Sequence, residues 1–191
     1  MKLVFASNNL NKIEEIQNLL PASIKILSLK DIGCFEEIPE TADTIEENAI
    51  LKANYVTEKY GYDCFADDSG LEIDYLNGAP GVYSARFAGK QKNDQDNIEK
   101  VLNELSGVLN RKANFKTVIA LNLNNEQHLF TGIIDGTIIS SQKGTKGFGY
   151  DPIFQPNNYS ITFAEMEQNE KSKISHRGKA VAQLLRFLNS K

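Results

Sequence analysis

Two adjacent carboxylates, Asp67 and Asp68, stand out in the sequence because apolar residues flank them on both sides, with residues 64–66 before the pair and Leu71 after it. Mg²⁺ binds one or two protein carboxylates together with substrate phosphates and water. A pair of aspartates at the end of a strand therefore predicts a metal ligand and a general base. The alternative is a solvated acidic loop, which is the favoured interpretation for a second acidic stretch that contains Glu36 and Glu37.

A polar cluster near the N-terminus lies between an apolar segment and a helical pattern, and consists of Ser7, Asn8, Asn9, Leu10, Asn11 and Lys12. The first N–H groups of a helix lack intrahelical partners and carry partial positive charge. Small polar residues and a lysine at such a place predict a phosphate-binding loop. Alternatively, Ser7, Asn9 or Asn11 simply caps the helix. A P-loop is not expected, because the cluster has neither its glycines nor its GK[ST] ending.

A third cluster combines glycines with aromatic residues and includes Phe148, Gly149, Tyr150 and Asp151. Glycines allow the backbone to approach a flat ligand closely, and an aromatic side chain can stack on a nucleic base. The cluster therefore predicts a base-binding segment. On its own, however, a hairpin-like turn that carries core aromatic residues is the favoured interpretation.

A fourth cluster gathers basic residues around the predicted start of the last helix: Lys171, Lys173, His176 and Arg177. Basic residues oppose the dipole at a helix start, so the pattern predicts an anionic or keto-rich ligand. The alternative is a solvated basic patch.

The elements that must position these clusters alternate between strands and helices in the first half of the chain. Thr44 and Glu47 fit a capping box, which predicts a helix from Ile45 to Tyr60 that Gly61 closes. Two longer strands, at 115–123 and 127–139, are predicted to form a hairpin. The pattern predicts a mixed α/β sheet with helices packed on it. No linker or repeat interrupts the chain, so a single domain over residues 1–191 is expected.

Composition limits the choice of partners. The 191 residues carry a formal net charge of −4, which argues against broad nucleic-acid binding. No apolar run is long enough to span a bilayer, so no membrane partner is expected. The two cysteines are not spaced as a metal site or a disulfide framework, and a cytoplasmic location is expected.

Taken in order, these clusters resemble those of the inosine triphosphate pyrophosphatase family, the non-canonical purine NTP pyrophosphatases. The stretches that carry the resemblance are ASNNLNK (6–12), ENAILKA (47–53), FADDSGLEIDYLNGAPGVYSARFAG (65–89), GFGYDPIF (147–154) and EKSKISHRGKA (170–180). The resemblance implies an α/β fold with a long mixed central sheet, flanking helices and two lobes around a nucleotide-binding cleft. It also implies a homodimer that hydrolyses ITP, dITP and XTP to the monophosphate and pyrophosphate.

The resemblance assigns roles to individual residues. Asp68 matches the base and metal-binding aspartate, and Glu40 matches the second acidic ligand of a divalent cation such as Mg²⁺. Ser69 matches a substrate contact, and Lys52 a helical lysine that reaches the phosphates or the acidic pair. The remaining nucleotide contacts match the N-terminal polar cluster, the base-binding segment, Lys171, His176 and Arg177. Within these, Ser7, Asn9 and Lys12 match positions that hold the triphosphate.

Base discrimination is expected to depend on His176 and Arg177, because hypoxanthine and xanthine present a keto oxygen at C6 that only accepts hydrogen bonds. Two alternatives stay open at this point. One is a house-cleaning pyrophosphatase for other modified nucleotides, such as pyrimidines. The other is a non-catalytic nucleotide- or RNA-binding module, against which the acidic net charge and the aspartate pair both argue.

Overall fold

The computed structural model is described here for residues 1–190. Its strands are β1 (Lys2–Phe5), β2 (Lys25–Leu27), β3 (Cys64–Ile73), β4 (Lys112–Leu123), β5 (Glu126–Ile138) and β6 (Phe154–Pro156). Its α-helices are α1 (Leu10–Leu19), α2 (Ile45–Tyr60), α3 (Asp94–Glu104), α4 (Gln168–Ile174) and α5 (His176–Asn189). The strands form one six-stranded sheet in the order β2-β1-β3-β4-β5-β6. β1 runs parallel to β2 and β3, and β5 runs antiparallel to β6, which confirms the predicted mixed sheet.

The chain contacts divide the described residues into two compact units. Unit 1 comprises residues 1–68, 117–132 and 177–190, and unit 2 comprises residues 69–116 and 133–176. Each unit has its own apolar core. The core of unit 1 includes Phe5, Phe65 and Leu184, and that of unit 2 includes Phe115 and Phe154. Whether the chain acts as the single domain expected from the sequence stays a prediction.

Helix α2 has the bounds that the sequence predicts. The Thr44 side chain accepts a hydrogen bond from the N–H of Glu47, and Gly61 ends the helix in the left-handed conformation. Both signals are local, which is why the sequence alone defines this helix. The 124–125 turn also joins β4 to β5 as predicted, with Asn124 and Asn125 both at positive φ.

Two sequence predictions are wrong. The strand at Cys64 was expected to stop at Asp67, but β3 continues for ten residues through both aspartates. The basic cluster was expected to surround one helix start, but Lys171 and Lys173 lie in the last turn of a separate helix, α4. Positive charge at that end of a helix is favourable, so the argument from an opposing dipole does not apply to these two lysines.

Candidate active site

Asp67 lies in the core of unit 1, where two basic side chains contact its carboxylate. Its oxygens are 3.1 and 3.2 Å from Nζ of Lys12, which α1 supplies. Arg177, near the start of α5, donates from Nε to the same carboxylate at 3.3 Å and from Nη1 to Glu15. All four side chains are largely removed from solvent. Asp67 is therefore a fully paired, buried carboxylate rather than part of a solvated loop.

Asp68 contacts a different helix. Successive side chains of a strand point to opposite faces of the sheet, and Asp68 meets α2, where Nζ of Lys52 is 3.2 Å from its Oδ1. The same Nζ lies 2.6 Å from Oε1 of Glu40. Two carboxylates thus converge on one cation. Within residues 1–190, no three His, Cys, Asp or Glu side chains group as a candidate metal site.

The two aspartates differ in their readiness to ionise. Burial favours the neutral form of Asp67, but Lys12, Arg177 and Lys52 outweigh it and hold the pKa of Asp67 well below its usual range. Burial also dominates at Asp68, and there the opposing lysines do not overcome it, so the pKa of Asp68 is raised. A raised carboxyl pKa in a site of this kind is typical of a group that exchanges protons.

The N-terminal polar cluster forms the loop before α1 and the first turn of that helix. The Asn9 side chain accepts a hydrogen bond from the N–H of Lys12 at 3.2 Å, so Asn9 is the helix cap. The N–H of Asn9 in turn donates to Oγ of Ser7 at 3.2 Å. Asn8, Leu10 and Asn11 are exposed. The loop therefore presents backbone N–H groups and small polar side chains near solvent, which suits an anion, while Lys12 reaches inward to Asp67.

The predicted base-binding segment, Phe148 to Asp151, lies in unit 2, where the carboxylate of Asp151 holds it. Oδ2 of Asp151 accepts a hydrogen bond from the N–H of Phe148 at 2.9 Å and forms an ion pair with Nζ of Lys171 at 2.7 Å. Nζ of Lys171 also lies 5.1 Å from the centre of the Phe148 ring. Gly147 is required here, because a Cβ at that residue would lie 2.0 Å from the Asp151 carboxylate. Asp151 and Lys171 thus form a buried pair that fixes the position of Phe148.

Further contacts order the rest of this segment. The N–H of Gly149 donates to Oδ2 of Asp94 at 2.7 Å, and the Tyr150 hydroxyl donates to the carbonyl oxygen of Ser84 at 2.8 Å. Tyr150 is buried, whereas Phe148 is partly exposed. Of the two aromatic residues, Phe148 is therefore the one available to stack on a ligand, and Tyr150 belongs to the core.

His176 is the last residue of unit 2, and its ring packs among aromatic side chains. Its ring centre is 4.6 Å from that of Phe115 at an interplanar angle of 10°, and 6.5 Å from that of Phe163. Stacking of this kind fixes the plane of the ring. Ser69, the first β3 residue of unit 2, is partly exposed.

Within unit 1, the structure brings together five of the predicted site residues: Lys12, Glu40, Lys52, Asp67 and Asp68. It brings Asp151, Lys171 and the aromatic segment together within unit 2.

Sequence reasoning missed two residues of these clusters. Glu15 pairs with Arg177 across 162 residues of sequence, although its i, i+3 spacing from Lys12 on α1 is a signal that the two share a helix face. Asp94, which holds Gly149, begins α3, and acidic residues at helix starts are ordinary. No sequence signal distinguishes Asp94 from such a residue.

Comparison with known proteins finds relatives over nearly the whole chain. Residues 3–187 match the model of the Ham1 family. A Flavobacterium psychrophilum protein named dITP/XTP pyrophosphatase is 66% identical over the full length of both chains. A Porphyromonas gingivalis protein of the same name is 52% identical, covering 98% of this chain and 97% of its own.

Solved structures give the same result for the fold. The Ham1 protein of Staphylococcus aureus superposes with a TM-score of 0.92 at 39% identity, covering 100% of this chain and 99% of its own. The HAM1 protein of Coxiella burnetii gives 0.92 at 41% identity over the whole of both chains. The sheet order, the sequence match over nearly the whole chain and the structural match therefore lead to one conclusion: this chain belongs to the Ham1 family.

Proposed function

We propose that this chain is a divalent-cation-dependent pyrophosphatase that hydrolyses ITP, dITP and XTP to the monophosphate and pyrophosphate, removing non-canonical purines from the nucleotide pool. The observation that carries the proposal is the convergence of Glu40 and Asp68 on Lys52. The full-length relatives named dITP/XTP pyrophosphatase support the choice of substrate.

The carboxylates of Glu40 and Asp68 suit a divalent cation such as Mg²⁺. They already converge on a single positive charge, and Mg²⁺ takes one or two carboxylates and completes its shell with phosphate oxygens and water. When bound, the ion neutralises charge on the triphosphate and makes the phosphorus more electrophilic. With a cation held by Glu40 and Asp68, Lys52 could bind the phosphate oxygens in place of the two carboxylates.

The residues of unit 1 supply the rest of the chemistry. The N–H groups at the start of α1 and the ammonium of Lys12 bind phosphate oxygens and reduce the repulsion of a nucleophile. Asp68 orients a water molecule and accepts one of its protons as the water oxygen attacks the α-phosphorus. The bond from the α-phosphorus to the bridging oxygen breaks, and pyrophosphate leaves.

The residues of unit 2 are proposed to recognise the base. Phe148 stacks on the purine, which is indifferent to base identity. His176 donates a hydrogen bond to the keto oxygen that inosine and xanthosine carry and adenosine lacks. Arg177 was expected to share this role. In the structure two of its donor atoms already contact Glu15 and Asp67, so a base-reading role for Arg177 stays a prediction.

The proposal has two further features, an oligomeric state and a location. A homodimer is proposed from the family resemblance alone. A cytoplasmic location is proposed because the substrates are soluble nucleotides and both cysteines are buried free thiols, as expected in a reducing compartment. Within the described residues, no helix has the length and apolar character needed to cross a bilayer.

The decisive experiment is a hydrolysis panel with ITP, dITP, XTP, the four standard NTPs and a modified pyrimidine triphosphate, with Mg²⁺ and with a chelator. The expected result is IMP and pyrophosphate from ITP, with Mg²⁺ required and ATP a poor substrate. Chromatography that finds IDP and orthophosphate would contradict the proposed bond cleavage. A preference for the modified pyrimidine would contradict the proposed substrate class.

A further inference from the structure

The segment at residues 34–42, which we call the acidic loop, carries Glu40. It forms neither helix nor strand, so a regular backbone hydrogen-bond pattern does not fix its course. Its Phe35 side chain is 80% exposed. The position of Glu40 beside Lys52 therefore depends on the contacts that side chains make along the loop.

Glu36 provides one such attachment, near the beginning of the acidic loop. A single oxygen of its carboxylate, Oε1, accepts hydrogen bonds from the hydroxyl groups of Tyr55 at 2.8 Å and Tyr60 at 2.6 Å, and from Nζ of Lys59. Nζ of Lys59 also donates to the Tyr55 hydroxyl at 2.9 Å. An exposed ion pair alone contributes little, but several groups joined in one network contribute more.

Asn48 provides a second attachment, near the end of the acidic loop. Its side-chain oxygen accepts a hydrogen bond from the N–H of Ala42 at 3.0 Å, and its side-chain nitrogen donates to the carbonyl oxygen of Ala42 at 3.3 Å. Asn48 is almost fully buried. Both polar groups of one loop residue are thus bound by one helical side chain.

All of the contacting residues but Tyr60 lie on one stripe of α2. Asn48, Lys52, Tyr55 and Lys59 follow one another at spacings of four, three and four residues, which places them on a single helix face. Along that face, Asn48 binds Ala42, Lys52 binds Glu40, and Tyr55 and Lys59 bind Glu36. The loop is therefore laid along the helix, with its metal-binding candidate between two attachments.

We propose that Glu36 and Asn48 are positioning residues, which hold the acidic loop along α2 so that Glu40 faces Asp68 and the divalent cation. This inference rests on the proposed function, because the proposed cation site is the reason for Glu40 to be held in one position. The competing explanation is that burial of Cys34 and Ile38, two apolar residues of the same loop, already fixes its course and makes Glu36 dispensable.

The test compares Glu36→Ala with Glu58→Ala, a matched control that removes an exposed carboxylate from α2 beside Lys59 without touching the acidic loop. The first measurement is backbone amide exchange in metal-free protein. In Glu36→Ala we expect the amides of residues 36–38 and 40–42 to exchange roughly tenfold faster, with those of β1 and β3 unchanged. The control should match wild type throughout.

The second measurement is the Mg²⁺ concentration that half-saturates ITP hydrolysis. Loss of residues that orient metal ligands typically weakens metal affinity by about 10- to 100-fold, so we expect the half-saturating concentration to rise by at least tenfold in Glu36→Ala. At saturating Mg²⁺, kcat should return to within about twofold of wild type. A purely structural role would instead lower kcat at every Mg²⁺ concentration and leave the half-saturating value unchanged.

Tyr60→Phe removes one hydrogen bond from the network and serves if Glu36→Ala does not fold. Its half-saturating Mg²⁺ concentration should rise about threefold. The inference is overturned if wild type is active and either the loop amides or the Mg²⁺ requirement of these variants matches the Glu58→Ala control. An inactive wild type would refute the proposed function instead, and the amide exchange would still report whether Glu36 holds the loop.

Discussion

The candidate site residues of the two units differ in how they use charge. In unit 1, Lys12, Lys52 and Arg177 contact four carboxylates, and several of these contacts share an atom or a side chain. In unit 2, a single buried pair, Asp151 and Lys171, lies among aromatic rings and backbone donors.

This difference in charge indicates that the two clusters have different functions. A network in which cations and carboxylates share partners can exchange them, so a phosphate can replace a carboxylate at a lysine and a metal ion can replace a lysine between two acids. A single enclosed pair surrounded by rings offers no such exchange and instead holds a loop still. We therefore expect substitutions in unit 1 to change the rate for every substrate. Substitutions in unit 2 should change binding and the choice among substrates.

The largest effect is expected from Asp68→Asn, which keeps the side-chain shape and removes the negative charge. Activity on ITP should fall by about 100-fold or more, because metal and general-base roles are each of that order. Stability should change little, since burial already disfavours the charged form of Asp68. Steady-state kinetics and thermal unfolding measure the two effects.

Asp67→Asn is the matched control, because it is the same substitution at the neighbouring residue. It removes the partner of Lys12 and Arg177 in a fully buried setting, so the free energy of unfolding should fall by about 3–5 kcal/mol. If Asp67→Asn were as inactive as Asp68→Asn and equally stable, the division of roles between the two aspartates would be wrong.

The next effect concerns substrate choice. His176→Phe retains a ring that can stack on Phe115 and removes both nitrogen donors. One lost donor to a buried keto oxygen costs about 1–3 kcal/mol, so the ratio of kcat/KM for ITP to that for ATP should fall roughly tenfold or more. The same ratio should be measured for Arg177→Ala. A ratio that falls only in the arginine variant would move base recognition from unit 2 to unit 1.

Phe148→Ala is expected to weaken the binding of all purine substrates by the same factor. Loss of base stacking costs about 1–3 kcal/mol whatever the base, so KM should rise by roughly tenfold for ITP, XTP and the residual ATP reaction alike. Tyr150→Phe is the comparison, because it removes only the hydroxyl that contacts Ser84. A change in the ITP to ATP ratio in Phe148→Ala would show that the ring does more than stack.

The smallest effect concerns pH in the metal-free protein. Asp68, whose pKa is raised, should titrate above the ordinary aspartate value of about 4, and Asp67, whose pKa is lowered, below it. Ionised Asp67 stabilises the fold above about pH 4, and this contribution is lost as pH falls through its folded-state pKa. Carboxyl ¹³C NMR resolves both titrations. Asp67→Asn should therefore lose least stability, relative to wild type, at the most acidic pH.

Sequence patterns predicted the features that depend on near neighbours. Thr44, Glu47 and Gly61 lie within or beside the helix that they delimit, so the bounds of α2 were predictable. The polar clusters were also found, because each interrupts a periodic apolar pattern. The family resemblance, rather than spacing, supplied the role of Glu40, which lies in a loop without periodicity.

The wrong prediction for β3 has a physical cause. The sequence disfavours a strand through Asp67 and Asp68, because two charges in a buried strand cost free energy unless they are paired. The partners that pair them, Lys12, Lys52 and Arg177, come from three helices far apart in the chain. Local patterns contain no information about such partners, and the same holds for the pairing of Glu15 with Arg177.

The alternation of side chains along β3 has a consequence for how this protein can change over generations. Asp67 and Asp68 are adjacent in the sequence, yet their side chains contact different helices. A substitution that removes the direct contact of one aspartate leaves the direct contact of the other in place. Deletion of a single residue between Cys64 and Asp67 would have the opposite result. It would turn each carboxylate toward the other's helix, so that Asp67 would face Lys52 and Asp68 would face Lys12. No second point substitution in the strand would restore the arrangement.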